Sequence, residues 1–429
     1  MYRPVDVITV NAWGQRVGAL TLDPKLAYYA FEYTSAWRRT GIELAPIHLP
    51  LSDQPYVFPL LPEATFKRLP AALADALPDD FGNALIDAYL AKEGVARASI
   101  TPLDRLAYLS DRGMGALEFK PARSPRGRRP TAVNLENLVR ASRAALVHRL
   151  DGDPEIEAAV ANLIQVGTSA GGARAKAVIA WNPETDEIRS GQLATDAGFE
   201  HWLIKFDGVG RDAELGTGGN YGRIEYAYYL MASAAKIAMA PCRLLEESGR
   251  AHFMTKRFDR EGPVKHHIQT LCAMAHLDYK QRGTHDYSQF FLTIQELGLG
   301  EAASTEAFRR MVFNAVAANF DDHTKNQSFI LRQGEPWQLS PAYDITHAFN
   351  PSGEWTFQHL MSIDGKFSAV TRKDLLAVAD RFIVPGAKQV IDQVLQAVAR
   401  WPEFAKQAKL PDAETERIRR DHSTTFKAK

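Results

Sequence analysis

The arrangement that most constrains this fold is Asn319-Phe320-Asp321-Asp322-His323-Thr324-Lys325-Asn326, followed eighteen residues later by Asp344 in Ser340-Pro341-Ala342-Tyr343-Asp344-Ile345. Ser328-Phe329-Ile330-Leu331 and Trp337-Gln338-Leu339 read as two short strands around the turn Gln333-Gly334-Glu335-Pro336. A hairpin of that length carries Asp344 back beside Asn326, where one cation reaches both side chains. An Asp, four residues, an Asn and a distant Asp is a layout suited to phosphoryl transfer. The first Asp accepts or orients the attacking hydroxyl, and the Asn and last Asp hold magnesium on the phosphates. The same short spacing also occurs in solvated loops, so the weight falls on what lies upstream.

Val166-Gly167-Thr168-Ser169-Ala170-Gly171-Gly172-Ala173-Arg174-Ala175-Lys176 is a glycine-rich loop running into the strand-like Ala177–Trp181. Phosphates bind closely approaching backbone N–H groups, and glycine permits both the approach and positive φ. No G-x-x-x-x-G-K-[ST] pattern can be read, and the loop enters a strand, as in protein kinases. His201-Trp202-Leu203-Ile204-Lys205-Phe206 reads as a buried strand with one lysine inside it. Such a lysine costs desolvation unless an anion pairs with it. Its candidate partners are nucleotide phosphates and Glu225, on an expected helix Arg223–Ile237 whose Ile224, Tyr228, Met231 and Ala235 form an apolar stripe. The alternative is an edge-strand lysine with its head in water. The strand-like His252–Arg260 then stands where a kinase hinge offers backbone groups to adenine.

With 429 residues, 45% hydrophobic and 24% charged, the chain has the composition of an ordinary globular protein of two or three units. Lys and Arg number 51, as do Asp and Glu, which excludes a chain-wide electrostatic grip on nucleic acid. Cys242 and Cys272 are the only cysteines, too few for a disulfide framework or a cysteine zinc site. No apolar run suits a signal core or a membrane span. A reduced, cytoplasmic protein with no membrane partner is expected.

Val5–Val10, Arg16–Leu22 and Leu26–Tyr33 read as a β meander, and Ala116–Phe119 as a further strand. Ala71–Leu90 is helical around a break at Pro78, and Leu103–Leu109 is a short helix. Lys120–Pro130, with five basic residues and three prolines, reads as a solvated linker, though a nucleic-acid or partner contact is the competing reading. Helices are expected at Asn134–Val147, Glu155–Gln165, Gln289–Glu296, Glu306–Ala318, Arg372–Ala379 and Ala387–Arg400, with a stop at Trp401 before Pro402. The polar tail from Ala413 is expected to fray.

These pieces together resemble the HipA family of bacterial serine/threonine kinases, the toxin components of HipBA-type toxin–antitoxin systems. The resemblance runs along nearly the whole chain: Leu69-Pro70, Ala74-Asp75-Ala76-Leu77-Pro78-Asp79 with Gly82, Leu103-Asp104-Arg105-Leu106, Gly113-Met114-Gly115-Ala116-Leu117 and Ser169–Lys176. Trp202–Phe206, Lys256-Arg257-Phe258-Asp259-Arg260, Asp321–Asn326 and Tyr343-Asp344-Ile345 complete it. It implies an α+β, two-lobed, protein-kinase-like fold. Residues 1–120 would be a β-rich N-terminal subdomain, 131–258 the kinase N-lobe and 259–429 a helical C-lobe. It implies ATP and Mg2+, with Asp321 as catalytic base, Asn326 and Asp344 as metal ligands, and Lys205 on the phosphates. The expected nucleotide contacts are Ser169, Ala170, Gly171, Gly172, Ala173, Lys205, Glu225, Lys256, Phe258, His323, Lys325, Asn326 and Asp344.

Ser169 stands where the family carries an autophosphorylated loop serine, with Thr168 an alternative acceptor. A phosphate there is expected to pair with Arg174 or Lys176. The implied partners are a protein substrate, in characterised members an aminoacyl-tRNA synthetase, and a helix-turn-helix antitoxin of the HipB type that contacts operator DNA. Of the adjacent carboxylates Asp321 and Asp322, only Asp321 has the five-residue step to Asn326. Two other functions compete: a nucleotide-binding corepressor acting with its antitoxin, and a small-molecule phosphotransferase.

Overall fold

The computed structural model describes residues 2–123, 175–191, 197–209, 219–247, 249–423 and 426. The chain divides into two compact units, one of residues 1–210, 254–269 and 330–336, the other of residues 211–253, 270–329 and 337–429.

In the first unit, β1 (Val7–Ala12), β2 (Gln15–Asp23), β3 (Tyr28–Tyr33) and β4 (Leu117–Lys120) make an antiparallel sheet in the order β3-β2-β1-β4. Alternate residues of β1, Ile8, Val10 and Ala12, are fully buried, the period-2 signature of a one-sided strand. The β1–β2 turn places Trp13 and Gly14 at φ 50° and 73°, the paired positive φ values of a tight primed hairpin. Against this sheet chemistry stand two helices with polar caps. Asp79 accepts from Gly82 N at 2.6 Å to start helix Asp80–Lys92. Thr101 and Asp104 form a reciprocal capping box at helix Pro102–Leu109, with Pro102 in its first turn.

A second sheet in this unit holds β5 (Lys176–Trp181) between β6 (Ile188–Ser190) and β7 (Glu200–Lys205). Every residue of β5 is buried, Lys176 included. Its Nζ lies 3.1 Å from Asp79 Oδ2, and both side chains are at most 3% exposed. This corrects the expectation that Lys176 serves a loop phosphate: desolvation fixes it on Asp79, since releasing either member leaves a buried unpaired charge.

The strand end Lys256-Arg257-Phe258-Asp259-Arg260 forms a buried node with Gly113 and Gly115. Arg257 grips Asp259 through two hydrogen bonds of 2.9 and 2.6 Å, and Arg260 adds a third at 2.6 Å. Gly115 N donates to the same carboxylate at 2.8 Å, while both guanidiniums donate to the Gly113 carbonyl oxygen. Gly115 adopts φ 79°, and a Cβ there would lie 3.2 Å from Ile268 N. A glycine is what lets this backbone take a positive φ close against the His266–Ile268 backbone.

The second unit is helix-rich. Helix Gly300–Val316 packs on Tyr287–Glu296 and Ala387–Ala399, and helix Tyr221–Ala234 packs on Ala387–Ala399 and Trp401–Gln407. The stripe Ile224, Tyr228, Met231 and Ala235 is buried, as its helical spacing requires. A hairpin of β8 (Cys242–Glu247) and β9 (Arg250–Lys256) begins in this unit. Gly222 sits so near it that a Cβ would come within 2.0 Å of Ala251 O. Helix Ala387–Ala399 ends before Trp401, where a new helix begins with Pro402 in its first turn.

The expected fraying of the tail is corrected. Residues Asp412–Asp421 form a helix with Ile418 fully buried, and Thr415 O accepts from Trp401 Nε1 at 2.9 Å. One apolar residue at the right helical position and a few hydrogen bonds dock a segment that is otherwise polar. Tyr228 OH donates to Ala317 O at 2.6 Å and meets His422 Nε2 at 3.0 Å, while His347 Nε2 meets Asp421 at 2.8 Å. Among the described residues no helix is long and apolar enough to cross a membrane. The expected helices 134–147 and 155–165, and the linker from 124 on, lie outside the described residues.

Candidate active site

Helix Gly300–Val316 delivers the chain to the loop Asn319–Asn326, in the second unit. The loop is fixed from several directions. Phe320 N donates to Ala348 O at 3.1 Å and Ala348 N returns a bond to Ala318 O at 3.1 Å. Thr324 Oγ1 donates to Leu277 O at 2.8 Å, and Asn319 Nδ2 donates to Asn314 Oδ1 at 2.9 Å. A single 3-10 turn, Thr324–Asn326, closes it and leads into Ser328–Leu331.

Beyond the turn the expected hairpin forms, Ser328–Leu331 against Trp337–Leu339, with Ser340 N bonded to Ser328 O at 3.0 Å. Buried Arg310 holds its exit, donating to Ser340 O at 2.7 Å while paired with Glu306 at 2.9 Å. Tyr343 OH donates to Lys325 O at 2.7 Å and also bonds Ser328 Oγ. The residue before Asp344 is thereby tied to the residue before Asn326. Asp344 itself takes φ 53°, a left-handed conformation that costs a non-glycine residue about 1–2 kcal/mol and that Asp tolerates better than most.

Asp321 and Asp322, adjacent in sequence, have opposite environments. The Asp322 side chain is 0% exposed. Its carboxylate receives Tyr287 OH at 2.9 Å, His359 Nδ1 at 2.7 Å, Leu360 N at 2.7 Å and Met361 N at 3.4 Å. Four donors fill the roughly four lone-pair directions of a carboxylate. Asp322 has no capacity left for a substrate hydroxyl or a cation. The Asp321 side chain is 46% exposed, with His323 Nε2 3.7 Å away. Its backbone carbonyl accepts from Asn326 Nδ2 at 2.7 Å. That bond orients the Asn326 amide, so its hard carbonyl oxygen remains the group available to a cation.

The other sequence-expected residues fall as follows. Lys205 ends β7, directly opposite Lys176 across the β5–β7 pair, so both start from the same face of that sheet. Asp79 offsets one of these two like charges. Lys256 Nζ is 2.5 Å from Glu200 Oε1 at the surface of the first unit, and Phe258 is half-buried beside it in sequence. Glu225 is 2% exposed on helix Tyr221–Ala234. His323 and Lys325 flank the Tyr279 ring, His323 with centroids 5.3 Å apart and the Lys325 Nζ 5.0 Å from the centroid. Ser169, Ala170, Gly171, Gly172 and Ala173, with Thr168 and Arg174, lie outside the described residues.

Sequence reasoning missed Tyr287, Asn314 and His359. They form one buried chain with the loop: Asn314 Nδ2 donates to Tyr287 OH at 2.9 Å, and Tyr287 OH to Asp322. Burial together with the Asp322 charge pushes the Tyr287 phenol well above its ordinary pKa, so it remains a donor. No local pattern marks these residues, and Tyr287 and His359 stand 35 and 37 residues from Asp322 in sequence. The reading of His252–Arg260 as a hinge strand left the burial of Arg257 and Asp259 unanticipated.

No curated protein sequence matches the chain. In solved structures, a chain of the Shewanella oneidensis MR-1 complex of HipA, HipB and operator DNA matches at TM-score 0.65 and 16% identity, over 97% of this chain and 95% of that one. The Helicobacter pylori proinflammatory kinase CtkA matches at TM-score 0.37 and 13% identity, over 59% of this chain and 90% of that one. The first likeness agrees with the α+β, HipA-like fold expected above. The HipA N-terminal domain model matches residues 8–120 and the HipA-like C-terminal domain model residues 168–402, more than half of the chain, and so the chain belongs to the HipA family.

Proposed function

We propose that this protein is an ATP-dependent serine/threonine protein kinase acting as a growth-arresting toxin. The observation that carries this reading is the contrast at the loop: a saturated, buried Asp322 beside a half-exposed Asp321 whose carbonyl is bonded to Asn326. Asp321 accepts the proton of the attacking hydroxyl, a role for a carboxylate in reach of substrate. Asn326 and Asp344 supply oxygen ligands for Mg2+, which neutralises charge developing on the transferred phosphoryl group. The oriented Asn326 oxygen and the Asp344 carboxylate suit such a hard cation. Lys205 serves the phosphates with Glu225 as the counter-charge of that lysine, and Lys256, Phe258, His323, Lys325 and residues 169–173 complete the nucleotide contacts. The division into 1–120, 131–258 and 259–429 belongs to the same reading.

Membership of the family supports a reading of the partners. The Shewanella oneidensis protein was solved with HipB and operator DNA. We infer a HipB-type antitoxin here too, with DNA contacted through it, a cytoplasmic location, and an aminoacyl-tRNA synthetase as substrate. Ser169 is the proposed site of self-phosphorylation, with Thr168 the alternative.

Incubation with γ-labelled ATP and a cell lysate, followed by mass spectrometry of the labelled proteins, tests the reading. Wild-type protein should label a serine or threonine of another protein and Ser169 of itself. Asp321→Ala should lose both, by about 10²-fold or more, with its melting temperature unchanged. Transfer by Asp321→Ala at the wild-type rate, or ATP binding without any transfer by wild type, would refute the kinase reading, the latter in favour of a corepressor.

A further inference from the structure

Resting on that kinase reading, we propose that His359, with Asp322, is a positioning residue that presents Asp321 to its substrate. Asp321 carries the chemistry, and besides the Asn326 bond to its own carbonyl, its two neighbours in sequence are each anchored from one place. On one side, the Phe320 ring lies 4.3 Å from the His359 ring, centroid to centroid, and 5.1 Å from that of Phe349. On the other, Asp322 accepts from His359 Nδ1 at 2.7 Å and from Leu360 N at 2.7 Å. A single histidine thus touches the residue before Asp321 and the residue after it. His359 is 2% exposed, and its own N–H is held by Phe367 O at 2.9 Å. Both flanks of Asp321 are therefore referred to one rigid segment, His359–Met361.

The consequence is geometric. A base displaced by about 1 Å loses roughly 10²-fold in rate with little change in ground-state binding. Deleting the imidazole frees Asp322 from one of its donors and Phe320 from its packing partner at the same time. The effect should fall on turnover rather than on nucleotide affinity, because His359 is buried against Phe320 and Asp322. Asparagine at this position sets its Nδ2 close to where Nδ1 donates, whereas glutamine sets its amide nitrogen near the Nε2 position. The two amides therefore separate the specific hydrogen bond from simple filling of space.

The test measures kcat and KM for ATP in the labelling assay with wild type, Asp321→Ala, His359→Ala, His359→Asn and His359→Gln, with a melting temperature for each. We expect His359→Ala to lower kcat by about 10- to 100-fold with KM for ATP within about twofold. His359→Asn should recover most of the loss and His359→Gln little of it. Equal rates for the Asn and Gln variants, or a wild-type kcat in His359→Ala, would overturn the inference while leaving the kinase reading intact. Absence of transfer by wild type overturns both. If His359→Ala does not fold, Tyr287→Phe decides: it removes another Asp322 donor with its ring retained. A fall in kcat at constant KM supports the proposal, and an unchanged kcat overturns it.

Discussion

Asp259→Ala is the substitution whose cost the structure specifies best. Asp259 is 0% exposed, gripped by Arg257 and Arg260 and bonded to Gly115 N. Removing it leaves two buried guanidiniums near each other, answered by carbonyl oxygens and, for Arg260, by the Glu118 charge. Breaking a buried charge pair by deleting one partner costs about 3–5 kcal/mol, and the orphaned Gly115 N–H adds a further cost of about 1 kcal/mol or more. These terms share atoms and do not simply add, so about 4 kcal/mol is the expected loss. That is a large share of the roughly 5–15 kcal/mol that holds a domain together.

The same node fixes the pH dependence. Burial alone pushes the Asp259 carboxyl up, but the Arg257 and Arg260 charges and the hydrogen bonds to it outweigh burial and hold it well below its ordinary value of 3.8. A depressed carboxylate contributes its full stability above the unfolded-state pKa and loses it as pH falls toward the folded-state value. Asp259→Asn, which keeps the shape without the charge, should therefore be less stable than wild type by a constant amount from pH 5 to 8. The gap should begin to close below about pH 4. Guanidinium denaturation, read as midpoint and slope together, measures both variants. A loss under about 1 kcal/mol for Asp259→Ala at pH 7 would refute the reasoning, since it would mean the arginines find solvent or other partners once released.

Two further expectations follow from buried side chains. Burial holds the His267 imidazole down to about 4, despite its Nε2 bond to Leu44 O at 2.9 Å. The unfolded chain takes up that proton near pH 6.5, so stability should fall by about 2 kcal/mol between pH 7 and 5. His267→Gln, which keeps a donor near Leu44, should flatten that slope in denaturant titrations, and an unchanged slope would assign it elsewhere. Ile418→Ala in the last helix should cost about 2–4 kcal/mol and speed proteolytic trimming of residues 412–423. Trimming at the wild-type rate would show that Ile418 does not dock the tail.

Much of the fold could be read because its signals are local. The alternation of Ile8, Val10 and Ala12, the break at Pro78 and the apolar stripe of helix Tyr221–Ala234 each determine structure within a few residues. The tail could not be read this way. In Asp412–Asp421 one buried isoleucine and hydrogen bonds to distant Trp401 and His347 dock the helix, and a polar average conceals them. Lys176 was misjudged for a related reason: its partner Asp79 lies 97 residues away, and nothing near Lys176 announces a buried carboxylate.

The candidate site divides along the same line. The five-residue step from Asp321 to Asn326 is local, because a loop closed by one 3-10 turn suffices to bring the Asn326 amide to the Asp321 carbonyl. Spacing therefore favours Asp321, but it says nothing about what sets Asp322 apart from it. That answer lies in hydrogen-bond capacity. Tyr287 and His359, 35 and 37 residues away, consume the acceptor sites of one carboxylate and leave its neighbour turned toward solvent. A lone buried histidine and a lone buried tyrosine carry no pattern of their own, so their role becomes visible only when the donors around Asp322 are counted. Two adjacent aspartates thus acquire different chemistry from their surroundings, and the segment His359–Met361 that fills Asp322 is also the one that packs on Phe320 and sets where Asp321 stands.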